Sequence, residues 1–195
     1  MSAPLVEQFH KKYEILSGKV KEADRVADAI AQVVSVLTAV DAKCVATSAL
    51  PESISAPLEA HCATAGIEYL KPPYRASQLP DAIDRAQVGI TCADFVIAET
   101  GTIVEFATND AARLVSTLPR LHIGIAWAEQ LVPQLTDAAP LIRKQFEENP
   151  ANCVVTFISG PSRTADIEMK LTLGVHGPEE AHAIIIMESR TAHGR

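Results

Sequence analysis

The stretch DFVIAETGTIVEF (94–106) decides how this 195-residue chain is read. Two apolar, β-prone runs, DFVIA (94–98) and TIVEF (102–106), flank the polar Glu99-Thr100-Gly101. Short Val- and Ile-rich runs bounded by turn residues read as buried strands. Outward from this block the same signal recurs in KCVAT (43–47), IEYL (67–70), QVGIT (87–91), LHIGIA (121–126), NCVVTFI (152–158) and AIIIM (183–187). Between these runs lie helical patterns. Residues 4–17 and 19–40 read as helices, the second from Val20, Ala23, Val26, Ala27, Ile30, Val33, Val34 and Leu37 at spacings of three and four. Residues 48–66 read as a loop and a helix stopped by Gly66, and 78–86 as a further helix. A long helix is expected over 129–148 with Pro133 in its first turn. After Arg163, the alternation of Ala165, Ile167, Met169, Leu171, Leu173 and Val175 predicts a strand, preceded by one helical turn at about 162–167. Strands alternating with helices predict an α/β fold, a three-layer sandwich with a mostly parallel central sheet. The expected organisation is one domain, with residues 1–40 as a helical segment packed on an α/β unit of 41–195.

Composition narrows the partners. Hydrophobic residues make up 48% and aromatics 5%, so the core is built mainly from Ala, Val, Ile and Leu. Lys and Arg total 17 against 24 Asp and Glu, a net charge of −7, which argues against a nucleic-acid or anionic-membrane surface. The N-terminal residues lack the apolar run of a signal peptide, and no segment is long and apolar enough to span a bilayer. Cys44, Cys62, Cys92 and Cys153 are dispersed without a CxxC pair, so the chain is expected to carry no metal or iron–sulfur cluster. A cytoplasmic protein with free thiols is the expectation.

Three groups of residues carry possible chemistry. At the carboxyl end of a strand, Glu99, Thr100 and Thr102 would face a ligand that Gly101 lets approach closely. The same residues also make a tight turn between core strands, with Glu99 solvated. Ser159, Gly160, Ser162, Arg163, Thr164 and Asp166, in SGPSRTADIE (159–168), would form an anion cradle of hydroxyls, backbone N–H groups and a guanidinium. Ordinary capping, with Arg163 paired to Asp166 or Glu168, explains that segment equally well. In GVHGP (174–178), two glycines and a proline expose His176 as a possible acid, base or hydrogen-bond donor. His122 alternates onto one strand face and reads as a core or rim residue, while His10, His61, His182 and His193 show no ligand spacing.

Together, GITCADFVIAETGTIVEF (89–106), RLVSTLPRLHIGIA (113–126), FISGPSRTADIE (157–168) and GVHGPEEAHAIII (174–186) resemble the lactate-utilization (LUD) domain family, in particular its short form without iron–sulfur cysteines. The resemblance covers about residues 85–187 and implies a fold akin to sugar-phosphate isomerases, CoA-transferases and formyltetrahydrofolate cyclo-ligases. It implies a part in oxidising L-lactate to pyruvate beside partner subunits that bear iron–sulfur clusters. With no redox cofactor of its own, the chain would bind substrate or another small carboxylate- or phosphate-bearing ligand, with Glu99 and His176 as candidate catalytic groups. The resemblance leads us to expect an apolar residue at Glu105, so the carboxylate there points to a strand that is not fully buried. A second reading is a stand-alone enzyme of the CoA-transferase or cyclo-ligase kind, acting on a nucleotide-containing or carboxylate ligand with Glu99 as nucleophile or base. A third is a regulatory or assembly protein whose motifs only maintain the fold.

Overall fold

A computed structural model of the chain describes residues 3–164 and 172–190. Its centre is a six-stranded, wholly parallel sheet. The strands are β1 (Lys19–Ala23), β2 (Cys44–Thr47), β3 (Glu68–Leu70), β4 (Val88–Cys92), β7 (Leu121–Trp127) and β12 (Glu180–Ile186), in the spatial order β1-β12-β7-β4-β2-β3. One face packs on α2 (Val26–Ala39) and α3 (Glu52–Ala65): Val33, Leu37, Ile54 and Leu58 bury against Val88, Ile90, Ile123, Ile125 and Ile184. Gly66 ends α3 at φ 70°, a left-handed cap that glycine adopts without a Cβ penalty.

The opposite face is built from small residues. Gly124, Ala126, Ala181 and Ala183 stand where bulkier side chains would hold a second layer away. A Cβ on Gly124 would lie 2.6 Å from the Ile103 Cδ1 atom. Against this face sit α1 (Ala3–Ile15), through Val6, Phe9 and Tyr13, and a second sheet that the alternating pattern does not disclose. Its strands are β5 (Phe95–Ile97), β6 (Thr102–Ala107), β8 (Leu131–Val132) and β9 (Val154–Ile158), ordered β8-β5-β6-β9. The outer face of this sheet is covered by α6 (Leu135–Glu148), through Ala138. Beside it, α4 (Asp81–Asp84) and α5 (Asp110–Val115) pack on Cys44 and Ala46.

Three local expectations are corrected. Residues 19–23 are not helical; they form the edge strand β1, paired in parallel with β12 from Lys19↔His182 to Ala23↔Ile186. Val20 and Ala23 happen to continue the helical stripe of α2, but backbone pairing with a neighbouring strand outweighs so weak a local signal. The N-terminal segment thus contributes a strand as well as helices. The long helix starts at Leu135 rather than Glu129, because Leu131 and Val132 pair with Val96 and Ile97. Pro133 precedes the helix. Around Arg163 the chain is extended: β10 (Arg163–Thr164) pairs with β11 (Thr172–Leu173) in an antiparallel ribbon. Asp166 and Glu168 lie outside the described residues, as do Ala165, Ile167, Met169 and Leu171 of the expected strand, whose Leu173 is in β11. Among the described residues, no helix is long and apolar enough to cross a membrane.

Candidate functional site

The ETGT segment is the tip of the antiparallel β5–β6 hairpin, in the second sheet rather than the parallel one. The Glu99 carboxylate Oε2 accepts from the Leu135 backbone N–H at 3.0 Å, and the Glu99 N–H donates to the Pro133 carbonyl at 3.0 Å. Glu99 therefore caps α6, where a negative charge suits the exposed N–H groups of a helix start. Thr100, Thr102 and Ser159 form a chain of hydroxyls, Oγ1 to Oγ1 at 2.7 Å and Oγ1 to Oγ at 2.7 Å. The neighbouring glycines receive the end of α1. A Cβ on Gly101 (φ 62°) would lie 2.6 Å from the Tyr13 backbone N, and one on Gly160 (φ 110°) would lie 2.6 Å from the Leu16 carbonyl O. Close approach at these positions is by the chain's own backbone.

Ser162 joins the other two motifs. Its N–H donates to the Pro178 carbonyl at 2.8 Å, its carbonyl accepts from Gly174 N–H at 3.0 Å, and its Oγ accepts from His176 N–H at 3.3 Å. His176 is exposed and lines a groove of about 490 Å³ with Thr117, Arg120 and Glu179, at the amino ends of β7 and β12. Arg163 is exposed and Thr164 half-buried on the β10–β11 ribbon. The structure thus brings Thr100, Gly101 and Thr102 to Ser159 and Gly160, and Ser162 to His176. It does not bring Glu99 to His176.

Two sites went unseen in the sequence. The first is buried between the sheets: Thr91 on β4, His122 on β7 and Glu105 on β6. Thr91 Oγ1 contacts the Glu105 carboxylate and lies 2.8 Å from His122 Nε2, which is 3.5 Å from Glu105 Oε1. Glu105 is 7% exposed and His122 fully buried, so the strand carrying Glu105 is buried after all. A hydroxyl has one proton to give; with Glu105 accepting it, His122 Nε2 is the donor to Thr91. That leaves His122 Nδ1 buried and, like the Tyr13 hydroxyl, without a partner among the described residues. Burial, and then the Glu105 charge, push the Tyr13 phenol well above its ordinary range.

The second site is a cleft at the carboxyl ends of the parallel strands. From β2 the chain runs through α3 to β3, outward to one edge; from β4 it ends up in β7, on the other side. Adjacent parallel strands whose connections depart in opposite directions open a crevice between them, the place where open α/β sheets bind ligands. Here that crevice is a cleft of about 460 Å³, lined by Leu50, Glu52, Cys92, Asp94, Gln130 and Arg190 among others. The Arg190 guanidinium lies over the Trp127 ring, 5.1 Å from its centroid. Gln130 locks the floor, donating to the carbonyls of Ala93 at 2.8 Å and Asp94 at 3.1 Å while accepting from Trp127 N–H at 2.7 Å. Asp94 Oδ2 accepts from Phe106 N–H at 2.7 Å. Partial burial raises the Asp94 carboxyl above its usual range, reinforced by the Glu105 charge and opposed by Phe106 N–H and Arg190. Burial pushes the Cys92 thiol up to about 12, so it stays neutral. The signal for this site was Asp94 directly after the GITCA strand. Among the described residues, no group of three or more His, Cys, Asp or Glu is placed to hold a metal ion.

Residues 6–186 match the LUD domain family. The chain is 42% identical to Lactate utilization protein C of Geobacillus kaustophilus (strain HTA426) over 110 residues, 55% of this chain and 45% of that protein. It is also 42% identical over 110 residues to Lactate utilization protein C of Bacillus subtilis (strain 168), covering 54% and 44% of the two chains. The chain spans a little under half the length of these relatives. Its fold is shared with a duf162 family protein of Deinococcus radiodurans of known crystal structure, at TM-score 0.67 and 22% identity, over 95% of this chain and 98% of that one.

Proposed function

Because this chain belongs to the LUD domain family, we propose that it serves lactate utilization as a non-redox component, binding a small carboxylate in the crevice between β2 and β4. The observation that carries this reading is the 42% identity to proteins named Lactate utilization protein C. The cleft supplies suitable chemistry. Arg190 offers a cation to a carboxylate. Asp94 lines the same cleft, and its carboxylate accepts a hydrogen bond from the hydroxyl of a bound hydroxy acid and takes up that proton. Oxidising lactate to pyruvate releases two electrons and two protons. In this reading the electrons pass to iron–sulfur clusters on partner subunits in the cytoplasm, and the chain itself binds no cofactor.

The test is growth on L-lactate after deletion of the gene, with complementation by wild type, Asp94→Asn and Arg190→Ala. Wild type should restore growth and both variants should fail to, although each accumulates as folded protein. Affinity capture from lactate-grown cells should recover iron–sulfur proteins with the chain. Undiminished growth without the gene would sink the proposal.

A further inference from the structure

The crevice does not end at Cys92 and Asp94. Ala49, which lines it, also lines a second cleft of about 530 Å³ along the carboxyl side of β2. The walls of this second cleft are of another character. Pro72, Pro73, Tyr74 and Leu79 stand on one side, and Ala112 and Asn152 on the other. The Tyr74 ring is fixed in place: its hydroxyl shares its one proton between the carbonyls of Thr47 at 2.8 Å and Leu70 at 2.9 Å and accepts from Thr47 N–H at 3.2 Å. An aromatic wall held in this way loses little entropy when a flat group stacks on it. Asn152 is likewise engaged, its Nδ2 donating to the Thr108 carbonyl at 3.0 Å.

From this continuity we infer that the ligand has two parts: a carboxylate head in the crevice and a flat, largely apolar ring seated between Tyr74 and Ala112. The two clefts, about 460 and 530 Å³, leave a three-carbon acid far short of filling them. Pockets of this combined size bind molecules of cofactor or drug dimensions. The inference rests on the carboxylate reading of the crevice and adds the chemical class of what is joined to the carboxylate.

Calorimetric titration of the whole chain with L-lactate and with 3-phenyllactate tests it, since the two acids share a head and differ by the ring. Phenyllactate should bind at least tenfold more tightly. Ala112→Phe fills the cleft from α5, and Ala76→Phe fills it from the exposed opposite wall, where misfolding is not at issue. Each should abolish the advantage of phenyllactate and leave L-lactate affinity unchanged. Equal affinity for the two acids, or an advantage that survives both substitutions, overturns the ring site and leaves the carboxylate reading standing. Binding of neither acid overturns both.

Discussion

Gly101→Ala is the substitution that separates the two uses of the ETGT turn, ligand approach or helix seating. Two costs are expected. The first is the left-handed backbone, φ 62°, which costs an alanine roughly 1 kcal/mol. The second is the clash: the new Cβ would stand 2.6 Å from the Tyr13 backbone N and 2.7 Å from the Lys12 carbonyl carbon. Neither atom belongs to a flexible side chain, so to reach ordinary contact at 3.4 Å the end of α1 must retreat by about 0.8 Å. Overpacking of this kind typically costs about 1–3 kcal/mol. The ceiling is the burial of Val6, Phe9 and Tyr13, at about 1.5–3 kcal/mol each, beyond which α1 leaves the sheet. Gly66→Ala is the control, since its φ of 70° is similar but nothing lies within 4 Å of the added carbon. Urea unfolding should therefore show a loss of about 1 kcal/mol for Gly66→Ala and about 2–4 kcal/mol for Gly101→Ala. Equal losses in the two variants would refute the seating of α1 on Gly101.

Thr91→Val should cost about 2 kcal/mol or more by stranding Glu105 and His122 without their shared hydroxyl, whereas Thr91→Ser, which keeps it, should cost about 1 kcal/mol by chemical denaturation. Glu99→Ala should lower stability by about 0.5–1 kcal/mol through the lost cap on α6, read from the same curves. Acidification should destabilise the fold at β12. Burial holds His182 below the ordinary imidazole value of 6.5 despite the Glu180 hydrogen bond, so its contribution is present above that pH and lost below it. Glu180, lowered first by its bond to Lys19 and then by His182, loses its smaller, salt-screened contribution below the ordinary carboxyl value of 4.5. The urea midpoint should fall as pH drops from about 7.5 to about 5.5, and His182→Gln should flatten that slope; an unchanged slope would remove His182 as the cause.

The parallel sheet was legible because its strands, such as VGITC and LHIGIAW, are apolar runs buried on both faces. The second sheet was not, since DFVIA and TIVEF look the same as strands of a parallel sheet, and only pairing distinguishes them. In Lys19–Ala23 a single residue, Ala23, is buried, so neither a period of two nor one of 3.6 could declare itself. His122 read as a core or rim residue and is wholly buried. Its partners Thr91 and Glu105 lie on two other strands, in different sheets, and no spacing in sequence could join them. Asp94 was in plain view after GITCA, but its neighbour Arg190 reaches the cleft from beyond β12, a proximity that only the folded chain creates.

The position of β12 between β1 and β7 also bears on how the protein is made. A ribosome releases Lys19–Ala23 long before Glu180–Ile186, so β1 has no partner strand until synthesis has passed residue 186. Until then β7 presents an open apolar flank, and the nascent chain carries two unpaired edges that other chains can join. Sheet closure waits on a contact between distant parts of the chain, the kind that folds slowly. Translation that stops before β12 leaves a hole within the sheet rather than a shortened end, and its product should fall to proteases and chaperones instead of persisting as a smaller fold.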